Sequence, residues 1–153
     1  METFRLNREE TKQKVESTKD SYILFGAPGV GKTTIVRKPR MVSATTLALE
    51  YQAEGIDAVK ALINNQIFLQ GMTVVIDDIG IEDNVKHFGS QLDPIVYAIQ
   101  RIYDINQTAE QKIRLLLTTN LNKDELVERY GIRVIDRLYE MCHRIHLDDT
   151  NLR

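Results

Sequence analysis

The sequence predicts an α/β sandwich with a mostly parallel sheet. Three observations predict it. Short apolar runs recur along the chain, and the strongest end in polar residues. Amphipathic stretches of helical period separate them. A glycine-rich loop joins the first run to the helix pattern after it. Alternating strand and helix patterns build parallel sheets covered by helices. Runs without polar alternation are strands buried on both faces.

The elements follow in order. Residues 1–19 are expected to form a helical extension. Within it, Asn7 to Lys19 reads as a solvated helix, with Asn7 as N-cap and Glu10 placed to close a capping box. Residues 20–153 are expected to form the main domain. Its first strand is Tyr22-Ile23-Leu24-Phe25, ending at Gly26. A short helix follows, because Pro39 pushes Lys38 out of the α region. Met41 to Ala44 is a weaker strand, and Thr46 to Glu54 and Ile56 to Gln66 are two helices. Thr73-Val74-Val75-Ile76 is a strong strand ending in Asp77-Asp78. Leu92 to Ile105 is a longer helix, apolar at 92, 95, 96, 99, 102 and 103. Ile113 to Leu117 is the third strong strand, ending in Thr118-Thr119-Asn120. Asn122 and Glu125 form a capping-box pair for a helix through Tyr130, which Gly131 can end. A short helix spans Gly131 to Leu138, and Arg144 to Leu147 forms a fifth strand. Ligands of such sheets bind outside the C-terminal strand ends.

Composition narrows the function. Of 153 residues, 42% are hydrophobic and 27% charged, which suits one globular domain and excludes a disordered tail or a coiled-coil rod. With 20 basic and 22 acidic residues the net charge is −2, so no global positive field holds a polyanion. Nucleic acid would need a local patch, or a ring of subunits that repeats one. Arg37, Lys38 and Arg40 form one small basic cluster, and Lys112 with Arg114 another. No apolar run approaches the ~20 residues of a membrane span, and the polar N-terminus holds no signal core. A cytoplasmic protein without membrane contact is expected. Cys142 is the single cysteine and makes no internal disulfide. Cys142-His143-x-x-His146 lacks the fourth ligand of a closed zinc site.

The chemistry concentrates at three strand ends. Gly26-Ala27-Pro28-Gly29-Val30-Gly31-Lys32-Thr33 matches G-x-x-x-x-G-K-[ST] in full, between a strand and a helix. Its glycines let backbone N–H groups point at phosphate oxygens, and the helix N-terminus adds positive charge. Lys32 reaches the β- and γ-phosphates, and the Thr33 hydroxyl suits Mg²⁺. Thr34 follows as the next residue of the nucleotide-binding segment. Asp77 suits Mg²⁺ held through water, and Asp78 suits the base that polarises the attacking water. Glu82 is an alternative base. Asn120 both donates and accepts, so it suits the γ-phosphate or the water. Arg133 and Arg137 lie four apart on one helix face. Arginine suits transition-state charge and can act in trans.

FGAPGVGKTT, VVIDDIGIE, LLLTTNLNKDEL and YGIRVIDRL, in that order, resemble the helicase-loader ATPases of DnaC/DnaI type. They are also similar to the IstB transposition helper ATPases. Both are AAA+ proteins. The resemblance covers roughly residues 20–153, more weakly in the middle. It implies a P-loop NTPase three-layer sandwich of AAA+/ASCE type, compact and without a large lid domain. It implies ATP and Mg²⁺ as cofactors and self-assembly into a ring or spiral. The implied partners are single-stranded DNA and a replicative helicase, with a transposase as the alternative. Lys32 and Thr33 match the family's Walker A residues, Asp77 and Asp78 its Walker B pair, and Asn120 its sensor 1. Arg137 matches the arginine finger that serves a neighbour's nucleotide, and Arg133 a second family arginine. Arg153 falls about where the family has its sensor 2 arginine.

Two other nucleotide enzymes share parts of the pattern. Asp77-Asp78-Ile79-Gly80 fits the GTPase D-x-x-G, but Glu125 stands where N-K-x-D needs Asp. A kinase would need an arginine-rich lid, and no such segment is evident.

Overall fold

The computed structural model describes residues 1–83 and 92–148. Its strands are β1 (Thr3–Leu6), β2 (Ser21–Phe25), β3 (Val42–Ser43), β4 (Thr73–Ile79), β5 (Arg114–Thr119) and β6 (Cys142–Leu147). Its helices are α1 (Arg8–Ser17), α2 (Lys32–Val36), α3 (Ala44–Glu54), α4 (Ile56–Leu69), α5 (Pro94–Thr108), α6 (Lys123–Tyr130) and α7 (Ile132–Met141). The strands form one sheet in the order β1-β6-β2-β5-β4-β3. Every neighbouring pair is parallel.

Strand alternation divides the core into two clusters. Ile23, Phe25, Val74, Ile76, Leu115 and Leu117 pack under α3 to α7. Tyr22, Leu24, Val75, Leu116 and Ile145 pack on the other face against Val15 of α1 and Ile35 and Val36 of α2. The result is the three-layer sandwich expected. Because all strands run the same way, the ends of β2, β4 and β5 meet along one edge of the sheet.

The helix signals read from sequence have counterparts in hydrogen bonds. Asn7 Oδ1 accepts from Glu10 N at 2.8 Å, and Glu10 Oε1 accepts from Asn7 N at 3.1 Å. The same reciprocal pair joins Asn122 and Glu125. The α2 helix stops at Val36, just ahead of Pro39. The long helix begins at Pro94 under an Asp93 cap rather than at Leu92.

Two edges depart from the expectation. The segment before Tyr22 holds a strand as well as a helix. β1 pairs with β6 in register Leu6↔Leu147, and α1 buries Thr11 and Val15. At the opposite edge the weak strand shrinks to Val42–Ser43, and Ala44 already opens α3. β4 therefore lacks a strand partner along Val75 on that side. Gln66 of α4, fully buried, supplies the missing bonds. Its Nε2 donates to Val75 O at 3.1 Å, and its Oε1 accepts from Val75 N at 2.8 Å. Asn106 of α5 does the same for Ile113, at 3.0 and 2.8 Å. Buried backbone groups need such partners.

Arg114 is also structural. Its guanidinium donates to Asp20 O at 2.8 Å and Val15 O at 2.5 Å, fastening the end of α1 to β5. It is thus withdrawn from the second basic cluster. No helix among the described residues is long and apolar enough to cross a membrane.

Candidate functional site

The loop from Gly26 to Gly31 joins β2 to α2, whose first residues are Lys32 and Thr33. Gly29 and Gly31 have φ of +85° and +93°, which L side chains adopt only under strain. Val30 anchors the loop by burying its side chain in the core, while Ala27, Pro28 and Gly29 stay exposed. Lys32 lies buried beneath the loop. Its Nζ donates to Gly26 O at 2.5 Å, Ala27 O at 2.9 Å and Asn120 Oδ1 at 2.8 Å. Burial pulls its ammonium below the usual lysine range, while the carboxylates of Asp78 and Asp77 act against that shift.

β5 lies between β2 and β4, so its end sits between the loop and the acids. That order brings Asn120 to Lys32, far apart in sequence. It also places Thr118 beside the acid pair. The Thr33 hydroxyl lies 3.0 Å from each carboxylate oxygen of Asp77 and donates to it. The Thr118 hydroxyl donates to Asp77 Oδ1 at 2.5 Å and accepts from Asp78 N at 2.7 Å. In a regular strand Asp77 and Asp78 would point to opposite faces. The ladder to β5 is irregular between Ile76 and Ile79, and Asp78 takes φ +60°. This bulge lets both acids serve one site. Burial, then the neighbouring Asp77, raises the Asp78 carboxyl above the usual range, and Lys32 partly opposes this.

An open cavity of about 460 Å³ lies over these groups. Pro28, Gly29, Gly31, Lys32, Thr33, Thr34, Asp78, Thr118 and Asn120 line it. It thus collects the loop, the second acid and the amide that the sequence singled out. The oxygen set fits a hard cation. Thr33 and Asp77 would hold Mg²⁺ beside phosphate, since that ion takes one or two carboxylates rather than a full protein cage. Among the described residues no cluster of three or more His, Cys, Asp or Glu could hold a metal alone.

Other candidates lie elsewhere. Glu82 is not free to act as a base. It is buried and accepts from Gly80 N at 2.8 Å, Arg129 Nη2 at 3.0 Å and Tyr130 Oη at 2.5 Å. Burial and the adjacent Glu82 carboxylate push the Tyr130 hydroxyl well above its ordinary value, so it stays a donor. Tyr130→Phe is expected to cost about 2 kcal/mol, as for a hydrogen bond to a charged group. That is about 4–8 °C in Tm for a domain of this size. An unchanged thermal melt would show that the hydroxyl adds nothing.

Arg137 lies on α7, where its Nη1 donates to Gln100 Oε1 and its guanidinium sits 5.3 Å over the Tyr103 ring. It does not line the cavity of its own chain. Arg133 is exposed on the same helix. Arg153 lies outside the described residues. Cys142 is fully buried, and burial raises its thiol. His143 and His146 are half-buried on β6, and His146 stacks on Phe25 at 4.7 Å.

Two residues at the site carried no role in the sequence reading. Thr118 was legible only as part of a strand end. Arg8 lines the same cavity from the start of α1, and nothing in its local sequence marks it.

No protein family and no curated protein matches the sequence. Solved structures do match in fold. The chain is similar to the FIGL-1 AAA domain in complex with ADP, with TM-score 0.57 and 20% identity over 92% of this chain and 49% of that one. It thus spans about half the length of that domain. It is also similar to the P-loop NTPase domain of the sigma-54 transport activator from E. coli. That match has TM-score 0.50 and 18% identity over 92% of each chain. The fold is that of the P-loop NTPases.

Proposed function

We propose that this chain is an AAA+ ATPase that binds and hydrolyses MgATP. The observation that carries the reading is the convergence of Lys32, Thr33, Asp78 and Asn120 at one cavity under a glycine loop, with Asp77 bonded to Thr33 behind them. The fold's likeness to a domain in complex with ADP supports an adenine nucleotide as the occupant.

The chain's residues divide the work. Loop amides and Lys32 hold the phosphates. Thr33 and Asp77 would hold Mg²⁺, which would offset phosphate charge. Asp78 accepts a proton from the attacking water, and its raised carboxyl brings it nearer to a working base at neutral pH. Asn120 fixes the water or the γ-phosphate. Thr118 orients the acids through its bonds to the Asp77 carboxylate and the Asp78 backbone N–H. Arg137 serves the site of a neighbouring copy in a ring or spiral, and its absence from the lining of its own cavity supports that role. Arg137→Ala should therefore keep ATP affinity within about twofold and lose at least about 10²-fold in turnover, on the scale of arginine fingers. Lost binding in that variant would assign Arg137 to its own site or to the fold.

The biological task read from the motif order is loading a replicative helicase onto single-stranded DNA. An IstB-like role beside a transposase shares the same core. The exposed basic turn at Arg37, Lys38 and Arg40 supports a nucleic-acid contact repeated around an assembly. The test is phosphate release from ATP during titration with single-stranded DNA, with GTP in parallel. DNA-stimulated ATP turnover supports the reading, and a preference for GTP overturns it.

A further inference from the structure

The cavity holds a cation that the proposed chemistry leaves unused. Arg8 is the first residue of α1, and its backbone is fixed by the capping box around Asn7. β1 leads into it, and Asp148 N donates to Leu6 O at 2.9 Å, which ties this connection to the end of β6. The parallel sheet therefore delivers Arg8 to the same edge as the phosphate loop. Its side chain lies directly on that loop. A Cβ built on Gly31 would stand 2.9 Å from Arg8 Nε and 3.3 Å from Cζ. Gly31 thus answers two demands, its positive φ and the approach of this guanidinium.

Arg8 is exposed and lines the cavity beside Pro28, Lys32 and Thr34. Among the described residues it has no ion-pair or hydrogen-bond partner. Of the two acids in the first turn of its helix, Glu10 is occupied by the Asn7 backbone N–H, and Glu9 forms no ion pair with Arg8. An unpaired guanidinium beside a buried lysine is a receptor for an anion with several oxygens.

We infer that Arg8 bonds a phosphate oxygen of the nucleotide held in its own chain. This rests on the nucleotide reading of the cavity. It makes the β1–α1 unit part of the binding site, so that nucleotide binding and seating of the N-terminal segment reinforce each other.

The test uses the full chain. Affinities for MgATP, MgADP and inorganic tripolyphosphate are measured by calorimetry for the parent, Arg8→Ala and Arg8→Lys. Arg8→Ala is expected to weaken all three by about tenfold, and Arg8→Lys to recover part of the loss. The ligand-free melting temperature should hold, because the side chain has no partner to lose. Parent-like affinity in Arg8→Ala overturns the inference alone. Weaker ATP with unchanged tripolyphosphate overturns it in favour of contact with the base or sugar. A parent chain that binds none of the three overturns both this inference and the nucleotide reading.

Discussion

Replacing Lys32 by alanine is expected to lower ATP turnover by at least about 10²-fold, the scale of losing one charge-stabilising donor. The side chain is buried, so its ammonium acts where water screens it weakly. It also joins two carbonyls of the loop to Asn120, and its loss leaves the loop and β5 unlinked at the phosphate position. Assembly that depends on nucleotide should be lost with turnover. Phosphate release at saturating ATP checks this, and unchanged release would remove Lys32 from the site.

Gln66→Leu is expected to damage the fold severely. It leaves Val75 N and O without partners inside the core. Each buried unpaired group costs about 1–3 kcal/mol, so the pair costs about 2–6 kcal/mol. That is a large share of the 5–15 kcal/mol that holds a typical domain together. The site would suffer too, because Asp77 and Asp78 lie near the end of the strand that Gln66 supports. Urea unfolding checks it as a lower midpoint at unchanged slope. A midpoint equal to the parent's would show that the edge of β4 finds other partners.

These cases mark what a sequence displays and what it hides. The phosphate loop is legible because its signal is contiguous, with glycines, lysine and threonine in one stretch between an apolar run and a helix. Both capping boxes are legible because each closes within one turn, at Asn7 and at Asn122. The acid pair is visible as residues. The bulge that turns both acids to one site is not, because it depends on register against β5. β1 escapes notice because Thr3–Leu6 alternates exposed and half-buried residues, and its partner β6 comes from the far end of the chain. Gln66 and Asn106 read as ordinary polar helix residues, since only the tertiary fold brings unpaired strand groups to them. Glu82 reads as a possible base for the same reason. Its partners Arg129 and Tyr130 lie on α6. Arg114 looks like part of a basic patch until its two carbonyl partners are known.

Calorimetric titration of the full chain with MgATP, repeated after Mg²⁺ is chelated, asks whether this cavity takes MgATP. One saturable site per chain is expected, with an affinity that falls when the ion is withdrawn, because Thr33 and Asp77 would lose their link to the phosphates. No saturable binding at millimolar MgATP would contradict it.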